Sequence, residues 1–205
     1  MEGVPRCHNV GTPFLIGNIF ILTMEIGKIN NLIIARATEQ GFYLKSAEDG
    51  SEVLLPNRYI TADMAIGDEI EAFVYNDSED RPVATTERPN ALVGECALMR
   101  VKAVNSVGAF LDWGLMKDLL VPFREQKKRM IAGRWYVVYV YLDHESKRIV
   151  ASAKLDKFLD NVMPHYKFRQ KVDILVAQRT ELGFKVVVDN LFWGMIYHDE
   201  IYHDV

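Results

Sequence analysis

The sequence predicts an all-β protein made of tandem five-stranded barrels joined by a short connecting helix. Three observations carry this. A Gly-led apolar strand recurs at near-constant spacing, the strands are short and bounded by polar turns, and one stretch alone shows helical periodicity.

The recurrence begins with Gly41-Phe42-Tyr43-Leu44, Gly108-Ala109-Phe110-Leu111 and Gly183-Phe184-Lys185-Val186, each following an apolar strand and a polar turn. A further apolar strand ends in Leu54-Leu55-Pro56, Leu120-Val121-Pro122 and Met195-Ile196-Tyr197, at offsets of 15, 14 and 14 from the glycine. In the first two units Gly67 and Gly133 each stand 11 residues beyond the proline. Strand-like runs follow, Glu69-Ile70-Glu71-Ala72-Phe73-Val74-Tyr75 and Trp135-Tyr136-Val137-Val138-Tyr139-Val140-Tyr141, rich in β-branched and aromatic residues. Last strands close the units at Ala84-Thr85 and Ala151-Ser152. A unit of about five strands is too small for a two-sheet sandwich, and a closed Greek-key barrel, the OB-fold, removes its open edges.

The domains expected are therefore 24–88 and 91–154, with a third, incomplete barrel over 165–205 and no assigned fold for 1–23. The offset of the first two units would place the third unit's next glycine near position 208, past Val205, as in a shortened form of a longer polypeptide. Between the second and third units, Leu155, Phe158, Leu159 and Val162 follow i, i+3, i+4, i+7 spacing. This predicts an amphipathic helix over 155–164, stopped by Pro164, that packs one barrel on the next. Glu87-Arg88-Pro89-Asn90 is a turn-like joint.

Composition narrows the function. Of 205 residues, 49% are hydrophobic and 25% charged, with 24 Lys and Arg against 28 Asp and Glu, a foldable chain of net charge −4. The longest apolar run, Phe14 to Leu22, is interrupted by Gly17 and Asn18 and fits neither a membrane span nor a signal peptide, so the expected location is cytoplasmic. Cys7 and Cys96 form no CxxC pair, and buried thiols are the plain reading. The tail mixes His and carboxylates, but His198 and His203 are five apart, which suits neither one helix face nor one strand face, so no metal is expected. No cofactor or catalytic motif is present: P-loop, GxGxxG, HExxH and GxSxG are all missing, and Glu48-Asp49 and Glu79-Asp80 fall in turns. A non-catalytic binding protein is the expectation.

The units resemble the S1 domain, the OB-fold RNA-binding repeat. In the second unit Val107-Gly108-Ala109-Phe110-Leu111-Asp112 is similar to the family's second strand, and Asp143 through Arg148-Ile149-Val150-Ala151-Ser152-Ala153-Lys154 to its closing signature. Gly194-Met195-Ile196-Tyr197-His198-Asp199-Glu200-Ile201 is similar to the family's G-L-V-H-x-S-E-L, with Tyr197 at the His position. The divergent tandem, with Pro56 and Pro122 in place of a base-contacting His, resembles the conserved virulence factor B family, over residues 27–201. That resemblance implies a bacterial RNA-binding protein of three such repeats and a winged-helix domain, the last not represented in this sequence. Lys185 departs from the pattern at the third unit's equivalent of Phe110.

Charge is uneven. Residues 27–86 carry 5 basic against 11 acidic side chains (net −6), residues 94–154 carry 11 against 6 (net +5), and residues 164–205 carry 5 against 6 (net −1). Phosphate neutralisation would then fall to the second unit. Strand alternation sends Ala109 and Leu111 to one face and Phe110 to the other, and the resemblance implies that Phe110 is the stacking platform, with Tyr43 in the same register of the first unit. A core aromatic is the ordinary alternative. Lys102, Lys147, Arg148 and Lys154, with Lys127 and Lys128 of the run Gln126-Lys127-Lys128-Arg129, are candidate phosphate or base contacts, against solvated surface charge. Trp113, Trp135 and Trp193 are core or platform, undecided by sequence. The expected partner is single-stranded RNA bound without chemistry, with a role in post-transcriptional regulation; protein partners and single-stranded DNA are the alternatives, and no membrane is involved.

Overall fold

The computed structural model describes residues 24–160 and 164–200. The first unit runs β1 (Ile29–Thr38), β2 (Gly41–Lys45), β3 (Glu52–Pro56), a 3-10 turn at Asn57–Tyr59, β4 (Glu69–Asn76) and β5 (Pro82–Thr85). These strands close into a barrel of order β1-β2-β3-β5-β4, β1 pairing with β4 and Leu54 bridging to Val83 in parallel. The second unit repeats it with β6 (Cys96–Val104), β7 (Gly108–Leu111), β8 (Leu119–Pro122), a 3-10 turn at Phe123–Glu125, β9 (Trp135–Leu142) and β10 (Ile149–Ser152). Its order is β10-β9-β6-β7-β8, with β8 and β10 lying side by side. The third unit is a sheet of three strands, β11 (Ile174–Arg179), β12 (Gly183–Val188) and β13 (Phe192–Tyr197).

The anchor glycines have one physical cause. A Cβ on Gly41 would lie 2.0 Å from the Leu55 carbonyl oxygen, on Gly108 2.3 Å from that of Val121, and on Gly183 2.0 Å from that of Ile196. The second strand of each unit thus crosses the third so closely that any side chain there would clash. The first strand of each unit also carries an irregularity at corresponding places, between Ile34 and Arg36, Val101 and Ala103, and Val176 and Gln178. Such bulges increase the local twist and help a small sheet to curl.

Alternation sorts the side chains. Leu32, Ile34, Leu44, Val53, Leu55, Ala72, Val74 and Ala84 fill the first barrel. Met99, Val101, Ala109, Leu111, Leu119, Val121, Val138, Val140 and Ala151 fill the second. The second core continues onto the outer face of the first barrel, where Phe73, Tyr75 and Val83 meet Trp113. Trp113 is 2% exposed, donates its indole N–H to the Ala91 carbonyl at 2.8 Å and meets Phe73 edge-on at 5.5 Å. Polar ties flank this joint: Lys117 Nζ donates to the carbonyls of Asn76 (2.7 Å) and Asp77 (2.9 Å), and the Val93 N–H to that of Gly27 (2.9 Å).

The expected helix over 155–164 is much shorter. Leu155–Lys157 form a 3-10 turn, extended by one bond from the Leu159 N–H to the Leu155 carbonyl (3.1 Å). Asp160 then forms a parallel bridge with Phe192, and its N–H donates to the Leu191 carbonyl at 2.8 Å. That pairing to the third sheet takes the backbone out of the helix, and tertiary hydrogen bonding overrides the apolar period. The anticipated packing nonetheless occurs: Leu155 and Leu159 are buried with Val187 against Cys96, Val137 and Tyr139, and the Phe158 ring stacks on Tyr139 at 4.4 Å. Val162, the fourth position of the pattern, lies outside the described residues, as do residues 1–23 with Cys7, and His203.

Candidate nucleic-acid interface

Strand two fixes the site's central side chain. In β7 the residues flanking Phe110, Ala109 and Leu111, are fully buried, while Phe110 itself is half-buried on the outer face. It lies between Ala103 of β6 and Leu120 of β8 in the ladder. Phe110 is therefore outside the core. Tyr43 holds the same place in the first barrel, half-buried between Arg36 and Leu54. The Arg36 guanidinium covers its ring at 3.7 Å and is itself held by Glu52 at 2.9 Å.

Tyr43 opens onto a groove of about 510 Å³ on the first barrel, where Tyr59, Tyr75, Arg58 and Arg81 are also found, with Glu52 and Asp77 at its edge. The unit's net charge of −6 gives no sign of this groove, and its tyrosines come from β2, the 3-10 turn and β4, so no local motif announces it. Burial, reinforced by the neighbouring Tyr59, raises the Tyr75 phenol well above its ordinary range, so it is a neutral donor at every physiological pH. Arg81 is engaged by Asp77 at 2.9 Å and Glu79 at 3.1 Å.

In the second barrel the matching positions are filled differently. Tyr141 takes the place of Tyr75, and its hydroxyl is pushed up to about 12 by burial. Glu125 takes the place of Tyr59. Its buried carboxylate accepts from Ser152 Oγ at 2.6 Å and from Lys157 at 2.8 Å. Burial acts to raise the Glu125 carboxyl, but the Lys157 and Ser152 hydrogen bonds outweigh it and hold it below the ordinary carboxylate range. Glu125 is a structural anion that ties the linker to the barrel.

The basic candidates are dispersed. Arg148 grips Asp80 of the first barrel with Nε at 2.7 Å and Nη2 at 2.6 Å. Lys147, beside it in the turn at φ 57°, accepts a bond from Asn76 Nδ2 on its carbonyl (3.3 Å). Lys102, at the β6 bulge, pairs with Asp118 at 2.6 Å. Lys127 pairs with Asp156 at 3.0 Å, which also holds Lys185 of the third unit at 3.3 Å. Lys154 is half-buried near the Glu125 carboxylate, and Lys128 is exposed; neither has an ion pair among the described residues. Arg148 and Lys147 thus sit at the first joint and Lys127 at the second, instead of gathering around Phe110. Surface pairs of this kind hold their partners weakly, about 0–1 kcal/mol, and leave the cations able to exchange partners.

The structure also separates the three tryptophans. Trp113 is core, Trp193 is half-buried with Lys185 Nζ 3.7 Å from its ring centre, and Trp135 is 60% exposed. Among the described residues no group of three or more His, Cys, Asp or Glu side chains is placed to hold a metal, and no helix is long and apolar enough to cross a membrane.

Comparison with known proteins agrees with this architecture. A Bacillus subtilis (strain 168) protein, the uncharacterized protein YitL, is 36% identical over 100 residues, covering 48% of this chain and 33% of its own length. The crystal structure of a multidomain protein with nucleic acid binding domains from Streptococcus pneumoniae TIGR4 superposes with a TM-score of 0.53 at 17% identity, over 87% of this chain and 65% of that one. The chain thus spans less than two thirds of either relative. The S1 domain model matches twice, over residues 26–87 and 93–154, coinciding with the two barrels. With both barrels matched, the chain belongs to the S1 domain family.

Proposed function

We propose that this chain is a non-catalytic, cytoplasmic protein that binds single-stranded RNA on the outer faces of its barrels and acts in post-transcriptional regulation. One observation carries the reading: both barrels present a half-buried aromatic ring, Tyr43 and Phe110, at the same register of the second strand, each followed by a fully buried leucine. Every nucleobase has a face to offer such a ring, and stacking contributes about 1–3 kcal/mol per base. Capture by basic groups of the second barrel precedes stacking, with Lys128, Lys147 and Lys154 available at once and Lys102, Lys127 and Arg148 after exchange from their carboxylates. The nucleic acid binding domains named for the pneumococcal relative support the same class of ligand.

The test is a titration of matched single-stranded RNA and DNA oligomers at several salt concentrations. Phe110→Ala should weaken RNA binding about tenfold or more with an unchanged unfolding midpoint, and affinity should fall steeply with salt. RNA binding by the variant equal to wild type removes Phe110 from the site. Partners that survive nuclease and high salt, with no RNA binding, would instead make this a protein-docking module.

A further inference from the structure

The duplication within this chain supplies an internal control for what the fold itself demands. Residues at one register of both barrels share their structural surroundings, so a difference there reflects use more than folding. Two pairs of hydrogen bonds fix the correspondence. The Ile34 N–H donates to the Asp68 carbonyl (2.9 Å) and the Val101 N–H to that of Arg134 (2.9 Å); Gly67 donates to Ile34 and Gly133 to Val101, both at 2.8 Å. Ile33 is opposite Glu69 in the first ladder, and Arg100 is opposite Trp135 in the second.

At this register the first barrel shows Ile33, Asp68 and Glu69, and the second shows Arg100, Arg134 and Trp135, all exposed. Where the first barrel has acidic groups, the second has Trp135, with Arg100 opposite it in the ladder and Arg134 next to it in the chain. Trp135 is 60% exposed, which the core does not require. Neither Arg100 nor Arg134 has an ion pair among the described residues, in contrast to Lys102, Lys127 and Arg148. An exposed indole with uncompensated arginines at the neighbouring ladder and chain positions has the chemistry of a base-stacking, phosphate-binding position.

The patch is also placed to extend the site above. β6 lies between β7, which carries Phe110, and β9, which carries Trp135. Two strand spacings and the three-residue offset along β6 separate the two rings by about 15 Å over the outside of the barrel. OB-fold sites span about 4–16 nucleotides, enough for a strand to reach both.

We propose that Trp135, with Arg100 and Arg134, is a second nucleobase platform, on which the same single-stranded RNA continues after crossing β6 from Phe110. This rests on the RNA-binding reading above, and the experiment separates the two. Fluorescein-labelled oligouridylates of 4 and 12 nucleotides are titrated by polarisation against the wild-type chain, Phe110→Ala, Trp135→Ala and Trp135→Phe, each checked by circular dichroism. The expected result is that Trp135→Ala weakens the 12-mer about tenfold and leaves the 4-mer unchanged, Trp135→Phe restores most of the 12-mer affinity, and Phe110→Ala weakens both. The double variant Arg100→Ala/Arg134→Ala, which leaves the indole in place, should reduce the salt slope for the 12-mer by about 1.4, two single-strand phosphate contacts. If Phe110→Ala weakens binding while the Trp135 and arginine variants match wild type on the 12-mer, the second platform is wrong and the first stands. If the Phe110 variant also matches wild type, both rings are removed from the site and this inference fails; if the wild-type chain binds neither oligomer, the RNA-binding reading fails and this inference with it.

Discussion

Replacing Trp113 with alanine tests whether the two barrels are one unit. The side chain is 2% exposed, sits edge-on to Phe73 across the joint and satisfies the Ala91 carbonyl with its N–H. Truncating a buried tryptophan costs about 3–5 kcal/mol through lost transfer energy and the cavity left behind. The broken hydrogen bond adds about 1 kcal/mol. The expected loss of about 4–6 kcal/mol is comparable to the whole stability of many domains. Because the ring contacts residues of both barrels, the variant should also unfold in two steps where the wild type unfolds in one. Urea titration followed by far-ultraviolet circular dichroism reads both quantities. Trp113→Phe, which keeps a ring at the joint, should lose less than half as much and retain a single transition. A loss below about 1 kcal/mol with one transition would mean that the Trp113 contact neither stabilises nor couples the barrels.

Gly108→Ala should destabilise the second barrel by about 1–3 kcal/mol or more in the same titration, because the new methyl would lie 2.3 Å from the Val121 carbonyl oxygen and backbone is slow to yield. Gly133→Ala has nothing within 4 Å and only its φ of 83° to oppose it, so a smaller loss of about 1–2 kcal/mol is expected. Glu125 predicts an acid-sensitive component of stability. Its carboxyl pKa is lowered in the folded chain, so its contribution is complete above the unfolded pKa and is lost as pH falls through the folded one. Thermal melts from neutral pH downward should show a shallower acid slope for Glu125→Gln than for wild type.

Repeat spacing made the barrels legible because each anchor glycine faces a carbonyl oxygen that excludes a side chain, a constraint local enough to mark the sequence. Alternation separates Phe110 from Ala109 and Leu111 but does not say which face is inside; the family resemblance implies the outer face, and the structure buries Ala109 and Leu111 and leaves Phe110 half-buried. What stayed hidden depended on which outer faces meet. Trp113 follows β7 and Trp135 opens β9, yet one plugs a joint and the other faces solvent. The partner of Arg148 is Asp80, on another barrel, and the end of the linker turn is set by Phe192, in another sheet. The groove beside Tyr43 has no signature in the sequence because it draws on three separated segments of an acidic unit.

The joints also change what the charge count means. The second unit's net charge of +5 treats its cations as equally free to meet phosphate. Arg148 and Lys117 are directed into the acidic first barrel, and Lys127 is directed at Asp156 in the linker. Part of the charge difference between the repeats therefore holds the repeats together, which explains why a −6 barrel and a +5 barrel sit side by side. The positive potential left for a polyanion is weighted towards cations without a carboxylate partner among the described residues, and Arg100, opposite the exposed Trp135 in the ladder, and Arg134, next to it in the chain, meet that condition. On the proposed reading, a strand attracted by the second barrel is drawn along β6 and β9 as well as across the Phe110 face, and the acidic side chains at the equivalent register of the first barrel, Asp68 and Glu69, repel it there. On the proposal above, the direction in which RNA leaves Phe110 follows from where the duplicated barrels differ in charge.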